Sequence, residues 1–188
     1  MPIVKKALEN GMVIITRGTT NTYVAEEILG RSIEKGAFVT GRIYPQKGGK
    51  KLNPSKKLSE IILVNGEPDE KLSYSEAVKN LKAGDVVIEG GNALNYKNKI
   101  AGVYIGSPTG GTTGKFLPYV VARKAYLIIP IGLEKLIAGD IIELSKKSYT
   151  EKLGHLNTDI PFRIFLRNVT MALDKAKKIE ESAKPYGG

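Results

Sequence analysis

Two rhythms of apolar and polar positions alternate along the chain. Residues 12–16, 86–88, 102–105 and 126–130 are short apolar runs without polar alternation, the pattern of strands buried on both faces. Between them, apolar residues recur at helical spacing. Residues 2–10 read as a leading helix stopped by Gly11. A second helix, capped by Asn21 or Thr22, carries Tyr23, Val24, Ile28 and Leu29 on one stripe and ends at Gly30 or Gly36. Ser73-Tyr74-Ser75-Glu76 has the form of a capping box, placing Ala77, Val78 and Leu81 inward. A further helix is predicted over 115–125, with Pro118 in its first turn.

Residues 37–44, 60–64 and 140–144 read as additional strands, with a turn at Asn65-Gly66 after the second. Residues 45–59 and 92–99 read as polar loops, and 168–183 as a helical tail. Strands alternating with helices imply an α/β fold. The expected architecture is three-layered and Rossmann-like: a mostly parallel open sheet with helices on both faces. One domain is expected over 1–188, with 138–188 as a C-terminal extension.

In such a sheet, ligands bind at the carboxyl edge of the strands. Three small-residue loops follow apolar runs and would gather there. The first is Arg17-Gly18-Thr19-Thr20-Asn21-Thr22, opening a helix. Free backbone N–H groups at a helix start, together with the Thr and Asn side chains and the Arg17 charge, suit a phosphate or carboxylate. The alternative is an ordinary helix cap. The second loop, Glu89-Gly90-Gly91-Asn92, holds the trio's one acid at a strand end. Partial desolvation there would raise its pKa and suit general-base work, with Asn92 orienting a carbonyl or hydroxyl. Local pairing of Glu89 with Lys97, Lys99 or Lys115 is the alternative.

The third loop is Pro108-Thr109-Gly110-Gly111-Thr112-Thr113-Gly114-Lys115. Its glycines permit close backbone approach, and its hydroxyls and ammonium are donors. A nucleoside-triphosphate P-loop would need Gly in place of Thr109 and Ser or Thr in place of Phe116. The alternative is a tight glycine turn without a ligand.

Composition narrows the chemistry. With no cysteine and one histidine, His155, the 188 residues exclude disulfides, a thiolate nucleophile, and Cys- or His-based metal clusters, so no metal is expected. No apolar run approaches the roughly 18 residues a membrane span requires, and the first residues lack the apolar stretch of a secretory signal. A cytoplasmic protein with no membrane partner is the simple expectation. The net charge of +10 raises nucleic acid as an alternative partner. The main lysine cluster is Lys47, Lys50, Lys51, Lys56 and Lys57, with Lys175, Lys177, Lys178 and Lys184 in the tail. No aromatic platform for RNA accompanies them. His155 reads as a structural or surface position, Asp159 has no partnered spacing, and Arg163 and Arg167 read as a solvated face, with a ligand or subunit interface as the alternative.

The segment Glu9-Asn10-Gly11-Met12-Val13-Ile14 leading into the first loop resembles the opening of ribose-5-phosphate isomerase A. The superfamily of that enzyme includes glucosamine-6-phosphate deaminases and CoA-transferases. Asp85-Val86-Val87-Ile88-Glu89-Gly90-Gly91-Asn92-Ala93 and Thr109-Gly110-Gly111-Thr112-Thr113 are similar to later family segments, so the likeness spans roughly residues 9 to 137. It implies a phosphate held by the first loop, acidic groups at positions 89, 92 and 93, and a homo-oligomer. Here only Glu89 is acidic; Asn92 and Ala93 replace the others. Pro108 and Thr109 stand where the family has a lysine, helix 115–125 holds no acid, and Thr20 replaces a glycine.

The expectation is therefore a divergent member that binds a small anionic, phosphorylated metabolite. Its ligand residues would be Arg17, Gly18, Thr19, Thr20, Asn21, Thr22, Gly90, Gly91, Thr109, Gly110, Gly111, Thr112, Thr113 and Lys115. Glu89 would be base or nucleophile, in isomerase-like or acyl-transfer chemistry, with Asn92 orienting. A non-catalytic sensor of the same fold, or a nucleic-acid binder, are the alternatives. No cofactor is specified.

Overall fold

The computed structural model describes residues 1–40, 53–105, 107–150 and 162–164. In chain order the first elements are α1 (Pro2–Asn10), β1 (Met12–Ile15), α2 (Thr19–Leu29), β2 (Ile61–Val64), β3 (Glu67–Pro68), α3 (Tyr74–Lys79) and β4 (Val86–Ile88). They are followed by β5 (Ala93–Asn95), β6 (Ile100–Tyr104), α4 (Gly111–Arg123), β7 (Tyr126–Ile128), α5 (Ile141–Thr150) and β8 (Phe162–Ile164). The chain divides into two compact units: Met1–Gly90 with Thr112–Leu127, and Gly91–Gly111 with Ile128–Gly188.

The first unit is built on a mostly parallel five-stranded sheet of order β3-β2-β1-β4-β7. β1 and β4 are parallel, with Val13 opposite Val86 and Ile15 opposite Ile88. The antiparallel part is the β2–β3 edge, where Met12 pairs with Val64 and Ile15 with Ile61. Asn65 and Gly66 both have positive φ, the backbone a tight β2–β3 hairpin requires and Asn-Gly adopts readily.

Successive residues on a strand face opposite ways. Met12, Ile14, Ile62 and Val87 pack with Ala77, Val78 and Leu81 from the α3 segment and Phe116 and Val120 of α4. The alternate residues Val13, Ile15, Leu63, Val86 and Ile88 are buried as well. Both faces are covered, which is why these runs carry no polar alternation. Beneath the sheet's opposite end, buried Asp85 joins two chain segments. Its Oδ1 accepts from Met12 N at 2.8 Å and its Oδ2 from Lys82 N at 2.6 Å. A Cβ on Gly11 would lie 2.9 Å from that Oδ1, so glycine serves there by its size.

The second unit holds an antiparallel sheet, β5-β6-β8. Leu94 bridges to Leu136, just beyond a 3-10 turn over Leu133–Lys135. Ile141 of α5 packs close to Gly102, where a Cβ would meet its Cγ2 at 3.3 Å. No helix among the described residues is long and apolar enough to cross a membrane.

Several expectations are corrected. Residues 37–40 form a turn and an irregular stretch in place of a strand, and 41–44 lie outside the described residues. Within 92–99, β5 forms because Ala93 and Leu94 are buried and the chain reverses through Lys99 at positive φ. Residues 140–144 open a helix instead of a strand: Asp140 Oδ1 accepts from Ile142 N and Glu143 N, an N-terminal cap. Ile141 and Ser145, four apart, are its buried positions. α2 begins at Thr19 with Gly18 as N-cap, so Asn21 and Thr22 lie inside it. α4 begins at Gly111, which places Pro118 in its interior. The tail 168–183, the lysines at 47, 50 and 51, and His155, Asp159 and Arg167 lie outside the described residues; Lys56 and Lys57 are exposed.

Candidate functional site

The carboxyl ends of β1 and β4 meet at one edge of the first unit. Thr16, directly after β1, donates its N–H to Ile88 O at 3.0 Å, extending the parallel ladder by one bond. Asn21, in the first turn of α2, is fully buried over this junction. Its Nδ2 donates to Thr16 O at 2.9 Å, Thr16 Oγ1 at 3.3 Å and Ile88 O at 3.3 Å, while its Oδ1 has no partner among the described residues. Asn21 thus locks α2 onto the ends of both strands.

Glu89 follows Ile88 and is 9 % exposed. Its Oε1 accepts from Thr113 Oγ1 at 3.5 Å, a long bond, and its Oε2 has no partner among the described residues. Burial pushes the carboxyl up to about 7; hydrogen bonds from Thr16 and Thr113 pull it down, and the Glu60 charge pushes it up again. Its described partners are hydroxyls rather than lysines. A carboxyl group poised near neutrality at a strand end can take or give a proton at ordinary pH.

The same edge carries an ion pair, a phenol and an ammonium group. Arg17 Nε donates to Glu60 Oε1 at 3.0 Å, with side chains 30 % and 11 % exposed. Tyr74 of α3 donates its hydroxyl to Thr112 O at 2.8 Å. Burial, then the charges of Glu89 and Glu60, hold this phenol well above its ordinary range, so it stays a donor. Lys115 places its Nζ 5.7 Å from the Tyr74 ring centroid, a cation–π contact on the exposed side.

Within this unit the first loop behaves unevenly. α2 has no side-chain cap bond, leaving its first-turn amides without one of the usual acceptors. Thr19 is exposed and Thr20 half-buried. Thr22 uses its hydroxyl locally, donating to Gly18 O at 2.8 Å. Gly18 is extended, with room for a Cβ 3.7 Å from Asn21, so its backbone does not require glycine. Gly90 likewise faces open space.

Gly91, Asn92, Thr109, Gly110 and Gly111 belong to the second unit. Asn92 extends the β5–β6 hairpin: its N–H donates to Gly102 O and its Oδ1 accepts from Tyr104 N, both at 2.8 Å. Asn92 Oδ1 is thus engaged in the hairpin ladder. A Cβ on Gly91 would lie 2.6 Å from Ile131 Cδ1, a packing reason for glycine. Gly110 and Gly111 both take positive φ in a turn closed by Gly110 N donating to Ser107 O at 3.0 Å.

Thr16, Glu60 and Tyr74 were not expected at this edge. A parallel sheet directs attention to carboxyl ends of strands, but antiparallel β2 delivers its amino end, and Glu60 with it, to the same edge. No known protein family, curated protein or solved structure matches the chain.

Proposed function

We propose that the carboxyl edge of the first unit binds a small phosphorylated metabolite and that Glu89 moves a proton on it. The finer fold assignment, a Rossmann-like sheet of the isomerase and CoA-transferase type, belongs to this proposal, as do a homo-oligomeric state and a cytoplasmic setting. The observation that carries it is Glu89 itself: a buried carboxyl group at a strand end, with one oxygen unpartnered among the described residues and a pKa pushed up to about 7 by burial. A chain gains nothing in stability from such a group, so its presence favours a chemical role. The uncapped start of α2, Arg17 and Lys115 supply positive character for an anion.

Proton transfer is favoured over acyl transfer. A carboxyl group half-protonated near neutral pH is a good acid–base catalyst and a weak nucleophile. The assignment rests on first-unit residues: Arg17, Thr19, Thr20, Asn21, Glu89, Thr112, Thr113 and Lys115.

A thermal-shift panel of sugar phosphates, nucleotides, CoA esters and short RNA tests the binding. A phosphorylated compound should raise the Tm of the wild type and of Glu89→Gln, and much less that of Thr19→Ala/Thr112→Ala. A response to RNA alone, or equal responses in all three proteins, contradicts it.

A further inference from the structure

The function proposed above uses one carboxyl group, but two converge at this edge. β2 runs antiparallel to β1 with Ile61 opposite Ile15, so the next residue outward on each chain is Glu60 and Thr16. Glu60 is largely buried and held by the Arg17 guanidinium at 3.0 Å. Its charge reaches both Glu89 and Tyr74. Among the described residues, two enclosed acceptors in the same cluster lack donors, Glu89 Oε2 and Asn21 Oδ1. Asn21 donates its Nδ2 to the Thr16 hydroxyl oxygen, and the same hydroxyl lowers the pKa of Glu89. Among the described residues, one carboxyl group is therefore matched by a cation and the other is not.

We infer that Glu60, held by Arg17, is the second working carboxyl group of the site, the base that complements Glu89 as the acid. The inference rests on the binding reading above. Two carboxyl groups placed in contrasting environments take opposite roles in proton transfer. In the forward step a ligand X–H bond breaks, its proton goes to a Glu60 oxygen, and its electron pair stays on the ligand. The O–H bond of Glu89 breaks, and that proton goes to a ligand oxygen. No oxidant or net proton is consumed; proton exchange between the two carboxyl groups, through solvent, resets the site. Arg17 is a positioning residue. Its guanidinium fixes the Glu60 carboxylate at the edge. The other groups acting on this cluster are the Thr16 and Thr113 hydroxyls, at Glu89, and the Tyr74 phenol, whose ring lies under Lys115.

The test uses the full chain in two arms. Carboxyl-carbon NMR titration follows Glu60 and Glu89 in the wild type, Glu60→Gln and Arg17→Met, with circular dichroism confirming that each variant is folded. The Glu89 midpoint should fall in Glu60→Gln and rise in Arg17→Met. A midpoint indifferent to both substitutions overturns the pair, whatever the ligand. The second arm measures deuterium incorporation from solvent into the phosphorylated compound that raised the Tm. Glu60→Gln should lose about 10²–10⁴-fold in exchange rate with its Kd changed less than about threefold, the signature of an interaction made in the transition state. Exchange retained with binding intact overturns the role of Glu60 alone. If no compound binds, the binding reading fails, and the role of Glu60 falls with it.

Discussion

Replacing Glu89 by glutamine should stabilise the protein at alkaline pH and leave its stability nearly independent of this site's ionisation. In the folded chain the carboxyl group is raised, chiefly by burial, from 4.5 to about 7. Below about pH 4.5 it is protonated whether the chain is folded or not, and its contribution is fully present. As pH rises towards 7, the unfolded chain releases a proton that the folded chain retains, so stability falls; above about 7 the whole cost of a buried charge is felt. The gap between those values corresponds to about 3 kcal/mol. Thr113 and Asn21 lie in the first turns of α4 and α2, whose N-terminal dipoles favour the ionised form by roughly 0.3–1 kcal/mol each. About 2 kcal/mol is therefore the working expectation. Urea unfolding of wild type and Glu89→Gln at pH 5 and pH 8 reads it directly, because carboxyl groups common to both proteins cancel in the comparison. The wild type should lose about 2 kcal/mol more than the variant between the two conditions. Parallel behaviour of the two proteins would refute the claim that Glu89 is buried at a cost.

Three further substitutions test how the edge is supported. Gly11→Ala would drive a Cβ against Asp85 Oδ1, the acceptor for Met12 N, and should cost about 1–3 kcal/mol in chemical unfolding. Phe116→Ala empties the fully buried position where α4 packs on the sheet; a loss of about 3–5 kcal/mol is expected by the same measurement. Ser73→Ala removes the capping box observed at α3 and should lower stability by about 1 kcal/mol without affecting ligand-induced Tm shifts.

What could be read from the sequence was what local chemistry decides. The Met12–Ile15 and Val86–Ile88 runs are buried on both sheet faces, and uninterrupted apolar runs report that condition. The Ser73 and Glu76 pair and the Asn65-Gly66 turn carry their geometry in their own side chains or backbone preference. Glu89 was legible because a lone acid after a buried strand has few places to go. Glu60 was not, since its position depends on β2 pairing antiparallel with β1, and strand direction leaves no local mark. Asp140–Leu144 shows the same limit: an apolar pair after an aspartate fits either a strand or a capped helix start, and the cap bonds decide for α5. Asn92 looked chemical because of its neighbours, whereas its side-chain oxygen completes a hairpin ladder that only the β5–β6 pairing reveals.

The most direct measurement of the central claim is turnover against affinity for the phosphorylated compound that stabilises the wild type, compared with Glu89→Gln. The account predicts a kcat lowered by about 10²–10⁴-fold with Kd nearly unchanged, as removal of a proton-transferring group requires. Equal turnover in the two proteins would contradict it and remove Glu89 from the chemistry.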